Sequence, residues 1–348
     1  MLVTLVRAKG SSYRLPGARL LLTESRSYAG MISGGCLEAE VIRKAAWMVR
    51  EGAVVEQYST MFDDTAEVPF GLGCGGVVDL LLERADSPEC KALMDAMEVA
   101  LNGRSSTVVT WLPDSDRTLR RVVIVDGALV FASEGLSEKK LQCARSLNAG
   151  EAYEGRFVEE LRPPQRLFVL GAGDDAKPLV NMAAALGWSV VVADGRSQLV
   201  KAERFPAAEV LITSVKGLDI KSDDAVVVMS HSYEQDRGIL AELLPIAPRY
   251  LGVLGARHRS SLLVNEVAAS IGLSIAECCK RIYAPVGLDL GGDGPEAIAL
   301  AVLAEAQAVC QGKLGTSRRL TAKDVDRYVR EGSSAQYKQT QCALDGSS

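Results

Sequence analysis

"RLFVLGAGDDAKPLVNMAAALGWSVVVADGR", residues 166–196, decides the fold. A continuous apolar run, 166–170, leads into "GAGDDA", 171–176, which matches G-x-G-x-x-A; a stretch of helical period follows, then a second apolar run closed by Asp194. Strand, glycine turn, helix, strand and an acid about 20 residues after the turn are the parts of a dinucleotide-binding unit. The helix start would offer unpaired N–H groups and partial positive charge to a pyrophosphate, and Asp194 would face a ribose hydroxyl. Asp174 and Asp175 complicate this, because two carboxylates in the turn repel a phosphate by about 1 kcal/mol each even when well screened. They either cap the helix or recognise a donor-rich group such as a base, an amine or a hydrated metal, and both readings count against ordinary NAD binding.

Outward from this stretch the same pattern recurs. "EVLITS", "DAVVVMS" and "RYLGVLG" are further apolar runs with helical stretches such as "RGILAELLPIA" between them. Near-continuous hydrophobic strands alternating with helices predict a Rossmann-like, doubly wound parallel sheet over residues 165–312, closed by a helix with Pro295 in its first turn and Gly312 past its end. Upstream, the two prolines of "ELRPPQR" mark a boundary, since neither a helix interior nor a central strand accepts them. Residues 1–160 read as an α+β domain: short strands in "MLVTLVRA", "ARLLLT" and "SYAGMIS", an amphipathic helix over 36–51, strands at 53–59, 77–83, 106–112 and 120–132, and helices near 88–102 and 137–149. Residues 313–348 form a polar tail, expected to be partly disordered, in which Thr321 to Asp324 matches a capping box. The fold class is therefore α/β.

Composition bounds the function. In 348 residues, 48% are hydrophobic and 24% charged, the proportions of a globular protein. A net charge of -5 gives no reason to expect nucleic acid. No run of about 18 uncharged apolar residues exists to span a membrane, and the N-terminus lacks the order of a signal peptide. Eight cysteines without regular spacing or a C-x-x-C pair argue against a disulfide framework or a zinc site, and a cytoplasmic location is expected. Arg7, Lys9, Arg14, Arg19 and Arg26 crowd the start of the chain against Glu24 alone, either as a solvated face or as an anion-binding rim.

Two cysteines sit among glycines: Cys36 in "ISGGCLEAE", 32–40, and Cys74 in "FGLGCGG", 70–76. Cys36 opens a helix, where the dipole stabilises a thiolate, and Gly34 and Gly35 let a ligand approach the backbone. The plain alternative is tight turns around small buried thiols; two such sites in one domain favour a ligand or sulfur-handling site. "VMSHSYEQD", 228–236, ends a parallel strand, where ligands of such sheets bind, so His231 and Asp236 are read as a site pair. Arg257 and Arg259 add charge to the same edge, and His258 reads as a surface residue of a basic loop or helix start.

Together these segments resemble the XdhC/CoxI family, the accessory factors of xanthine dehydrogenase and related molybdenum hydroxylases. "GSSYRLPGARLLL", "ISGGCLEAEV" and "GLGCGG" resemble its N-terminal signature; "LGAGDDAKPLV", "ALGWSVVVADGR", "AERFP", "VMSHSYEQDRGIL", "LGVLGARHRSSLL" and "APVGLDLGGDGPEAIALAVLAE" resemble its Rossmann part. The resemblance covers about residues 3 to 312, and its CoxI-like branch carries acids where Asp174 and Asp175 stand. It implies a maturation factor without independent turnover, which binds the molybdenum cofactor as molybdopterin or its cytosine dinucleotide. Such a factor assists sulfuration of the cofactor by a cysteine desulfurase and delivers it to an apo molybdenum hydroxylase. Carried over by residue, Cys36 would meet molybdenum or its sulfur, Gly34, Gly35, Gly73, Cys74 and Gly75 would line the approach, and Arg14 would suit the pterin phosphate. Gly171, Gly173, Asp174, Asp194, Arg196, His231 and Asp236 complete the expected cofactor contacts, with no metal held except through the pterin. A homo-oligomer, most simply a dimer, is expected. Family members usually carry a helix before the first strand, and this chain opens almost inside that strand, as a late start or a lost covering helix would leave it. The rival readings are an NAD(P)-dependent oxidoreductase whose substrate domain comes first, and a nucleotide-sensing regulator.

Overall fold

The computed structural model describes residues 1–10, 12–25, 27–59, 76–147, 149 and 155–315, apart from the side chains of Cys36, Ala45, Ala46 and Ser59. These residues fall into two compact units that meet in sequence at Pro163 and Pro164. The capping box at Thr321 to Asp324 lies outside the described residues.

The first unit holds two antiparallel sheets. One is built from β1 (Leu2–Lys9), β2 (Arg19–Leu22), β3 (Tyr28–Gly30), β4 (Val54–Ser59) and β5 (Val77–Glu83), in the order β3-β2-β1-β5-β4. Alternation puts Val3, Leu5, Val78, Leu80 and Leu82 on one face, where they bury Leu37, Val41 and Met48 of α1 (Cys36–Met48). The helix ends three residues before the sequence predicts, at Met48 with Val49 as its C-cap, and the turn after it carries Gly52. The second sheet runs β8-β7-β6-β9, from β6 (Ser106–Trp111), β7 (Arg120–Val125), β8 (Ala128–Ala132) and β9 (Arg156–Leu161). Its faces are covered by α2 (Pro88–Leu101), through Val108, Val123 and Val125, and by α3 (Glu138–Ala144), through Val109, Val122 and Ile124.

The single strand expected over 120–132 is a hairpin. Asp126 and Gly127 both have positive φ, 48° and 80°, the backbone of a tight two-residue turn. The apolar run on either side of them masked the Asp-Gly signal.

The second unit is a five-stranded parallel sheet ordered β12-β11-β10-β13-β14, from β10 (Arg166–Leu170), β11 (Ser189–Ala193), β12 (Val210–Ile212), β13 (Ala225–Val228) and β14 (Tyr250–Val253). That is the 3-2-1-4-5 order of a doubly wound fold, with its switch point between β10 and β13. Leu167, Val169, Val190, Val192 and Val227 pack on α4 (Ala176–Ala185) and α8 (Pro295–Cys310). Phe168, Leu170, Val191, Val226 and Val228 pack on α5 (Tyr233–Ile246), α6 (Arg257–Ile271) and α7 (Ile275–Arg281). Burial on both faces explains why these strands read as unbroken apolar runs. Among the described residues, no single helix is long and apolar enough to cross a membrane.

Candidate functional site

In the first unit, strand register gathers the singled-out segments at one end of a sheet. Lys9 pairs with Val77, Ser59 with Val77, Thr4 with Arg19 and Leu20 with Gly30. The β1–β2 loop carrying Arg14, the turn before α1, and the two ends of the β4–β5 connection therefore share that end. Gly73, Cys74 and Gly75 of that connection lie outside the described residues, as does the Cys36 side chain; the Cys36 backbone is the first turn of α1.

The turn of residues 32–35 is held by a residue that sequence reasoning missed, Glu38. Oε1 accepts the N–H groups of Ile32 and Ser33 at 2.9 and 2.7 Å, and Oε2 accepts Gly35 N–H at 3.0 Å and the Ser33 hydroxyl. The side chain is only 4% exposed. Burial pushes its carboxyl up, but the donors from Ser33, Glu38 and Ile32 outweigh this and hold it below the ordinary value. An acid at the third helical position, three residues after Gly35, was the available signal. Gly35 has φ +119°, which side chains rarely adopt, so the backbone demands glycine there; a side chain on Gly34 or Gly35 would meet nothing within 4 Å. The turn is thus fixed from inside and bare outside.

The basic cluster divides. Arg7 pairs with Asp79 at 3.2 Å and Arg19 with Glu159 at 2.5 Å, while Lys9 and Arg14 are exposed and make no ion pair among the described residues.

In the second unit the carboxyl ends of β10, β11 and β13 bring together Gly171, Gly173, Asp174, Asp194, Arg196 and His231. Gly171, at φ +133°, packs against the backbone of the next loop: a side chain there would strike Met229 O. Asp194 is 2% exposed and accepts four hydrogen bonds, from Ala172 N at 2.8 Å and from Arg196 N, Nε and Nη2 at 2.8, 3.0 and 2.7 Å. Burial raises its carboxyl, but these donors win and hold it at about 2. A carboxylate with four donors has no lone pair left for a ribose hydroxyl. The expected ribose contact therefore gives way to the Arg196 guanidinium, whose side chain is 42% exposed.

The two acids of the turn are not caps. Asp175 occupies the N-cap position of α4 but its side chain makes no capping hydrogen bond. Its Oδ2 pairs with His231 Nε2 at 2.9 Å across the switch point, and His231 reaches it from a positive φ of 60°. Asp174 is held by Lys177 at 2.7 Å and Arg204 at 3.2 Å, with Lys177 the main reason its carboxyl is depressed. Arg204 also donates to Ala172 O.

His231 and Asp236 are not a pair. Asp236 is 0% exposed, accepts the Ser230 hydroxyl and binds Arg259 Nη2 at 2.8 Å, tying the loop after β13 to α6. Five residues of separation say nothing about which carboxylate an αL histidine faces, and Asp175, from another loop, takes the place. Arg257 and His258 are exposed at the start of α6. Among the described residues, no group of three or more His, Cys, Asp or Glu side chains is arranged to hold a metal ion.

Residues 167–306 match the XdhC Rossmann domain, and residues 1–59 match the XdhC and CoxI family. The chain belongs to the XdhC and CoxI family. It is 28% identical over 313 residues to a Bacillus subtilis protein named as a probable subunit of xanthine dehydrogenase, covering 88% of this chain and 91% of that one. Similarity to the molybdenum cofactor insertion chaperone PaoD of Escherichia coli is 27% identity over 320 residues, 89% of this chain and 83% of PaoD. A solved structure described as a xanthine dehydrogenase from Bacillus halodurans superimposes with a TM-score of 0.77 at 28% identity, covering 93% of this chain and 94% of that one. The two family matches take in the turn before α1 and the whole carboxyl edge of the parallel sheet, the same two regions that the geometry singles out.

Proposed function

We propose that this XdhC/CoxI protein is an accessory factor that binds the molybdenum cofactor and passes it to an apo molybdenum hydroxylase, with no independent turnover. The observation that carries this reading is the likeness over nearly the whole chain to a cofactor insertion chaperone, in a protein whose glycine turn is bare outside and fixed inside. In it, Gly34 and Gly35 offer main chain to the cargo, Cys36 meets molybdenum or its sulfur as a polarised thiolate, and Gly73, Cys74 and Gly75 complete the approach. Arg14 and Lys9, without ion-pair partners among the described residues, neutralise the pterin phosphate. Sulfuration by transfer from a cysteine desulfurase, the cytosine dinucleotide form of the cofactor, a homodimer and a cytoplasmic site of action are the finer parts of the proposal.

Against the oxidoreductase reading stand the saturated Asp194 carboxylate and the two acids of the turn. Titration of the protein with isolated molybdenum cofactor and, separately, with NADH separates the readings. The proposal expects cofactor binding in the micromolar range or tighter and no NADH-dependent turnover; hydride transfer from bound NADH without pterin binding would overturn it.

A further inference from the structure

The second glycine of a G-x-G-x-x-A turn lets a dinucleotide's pyrophosphate come close to the main chain. In this protein that room is taken. A side chain built on Gly173 would run into Asp175 Oδ1 and come within 3.6 Å of His231 Nε2, so the carboxylate and the imidazole lie over the glycine. Asp175 is held there at 2.9 Å by His231. The cations that could have met a phosphate at this turn, Lys177 and Arg204, are on Asp174 instead.

We propose that Asp175, folded over Gly173 and positioned by His231, is a specificity element that keeps diphosphate-bridged nucleotides off this turn, so that a ligand reaching it presents a hydrogen-bond donor rather than a phosphate. Two effects act together. The carboxylate fills the volume a phosphate oxygen would enter, and its charge weakens phosphate binding by about fivefold even at the dielectric of water. Asp174 adds the same penalty and occupies both nearby cations. Gly173 remains glycine because the carboxylate of its own chain needs the space. In a cytosine dinucleotide cofactor, the diphosphate would therefore lie away from this turn.

The inference concerns nucleotide phosphates alone and is tested without molybdenum, so its failure is distinct from failure of the accessory-factor reading. Calorimetric titration of ADP, NADH and adenosine is carried out on the full chain, on Asp175→Ser and on Asp174→Ser/Asp175→Ser, each checked for unchanged circular dichroism. The wild type should bind ADP and NADH no better than adenosine. The single variant should gain about tenfold or more for the phosphate-bearing ligands only, and the double variant more again. Asp175→Asn, which keeps the shape and loses the charge, serves if the serine variants fail to fold, and should gain about fivefold for the same ligands. Wild-type binding of ADP as tight as any variant's, a folded variant without gain, or a gain shared equally by adenosine would each overturn the proposal.

Discussion

Two carboxylates, Glu38 and Asp194, do the same work in the two units: each lies buried beside a glycine-containing turn and collects main-chain N–H groups that would otherwise be unpaired. Glu38→Gln leaves an amide donor facing donors, so the turn of residues 32–35 should loosen. Urea unfolding should show a loss of about 1–3 kcal/mol, with faster hydrogen exchange at Ile32, Ser33 and Gly35. Asp194 titrates in the folded chain at about 2 against an ordinary 3.8. A depressed carboxyl contributes its stability fully above about pH 4 and loses it as pH falls toward 2; the contribution is about 2 kcal/mol. Asp194→Asn should lower stability at pH 7 by roughly that amount and flatten the acid limb between pH 4 and 2; an unchanged limb would contradict the assignment. Thiols divide in the same way. Burial, with Glu83 nearby, pushes Cys90 up to about 12, and burial raises Cys278, while Cys279 is exposed. Native alkylation followed by mass spectrometry should modify Cys279 and spare Cys90 and Cys278. At this scale the sequence put Asp194 and His231 at the carboxyl edge of the sheet, where they lie, but paired His231 with Asp236, a residue of the first turn of α5, because hydrogen-bond partners come from segments distant in the chain. Glu38 escaped notice because an acid in a first helical turn is ordinary.

Elements were more legible than contacts. Parallel strands buried on both faces leave unbroken apolar runs, so β10, β11, β13 and β14 could be read directly, and the helix period of α1 and α4 was equally plain. What failed was the hairpin of β7 and β8, where apolar residues flank the Asp126–Gly127 turn closely enough to read as one strand. The glycines of the 171–173 turn looked alike in sequence and differ in structure. Gly171 has positive φ and faces the Met229 carbonyl, an immobile neighbour; Gly173 faces the movable end of the Asp175 side chain. Gly171→Ala should therefore cost about 2 kcal/mol or more, and Gly173→Ala clearly less, by thermal or urea denaturation. Equal costs would mean that both glycines serve the same need.

Across the whole molecule, each unit has its own apolar core, and the first joins its two sheets through a buried charge pair. Arg121 of β7 and Glu83 of β5, each 1% exposed, meet in a two-pronged contact at 3.0 Å, while Thr110 and the Glu89 carbonyl take two further N–H groups of the guanidinium. Removing one partner strands the other charge, so Glu83→Gln should cost about 3–5 kcal/mol of stability in the first unit. The two sheets of that unit could not be separated from sequence, because alternating strands carry no mark of which sheet they join. The regions recognised in the sequence nonetheless fall at two loop edges, one on each unit.

Cargo binding at the turn that ends in Cys36 is tested most directly by what the protein holds after purification. Protein purified from a molybdate-fed host should carry molybdenum, by inductively coupled plasma mass spectrometry, together with a comparable amount of pterin, by fluorescence of the oxidised product. Cys36→Ala should lose most of both while keeping its circular dichroism and melting temperature. Wild-type protein devoid of molybdenum and pterin, or a Cys36→Ala variant loaded as fully as the wild type, would contradict the account.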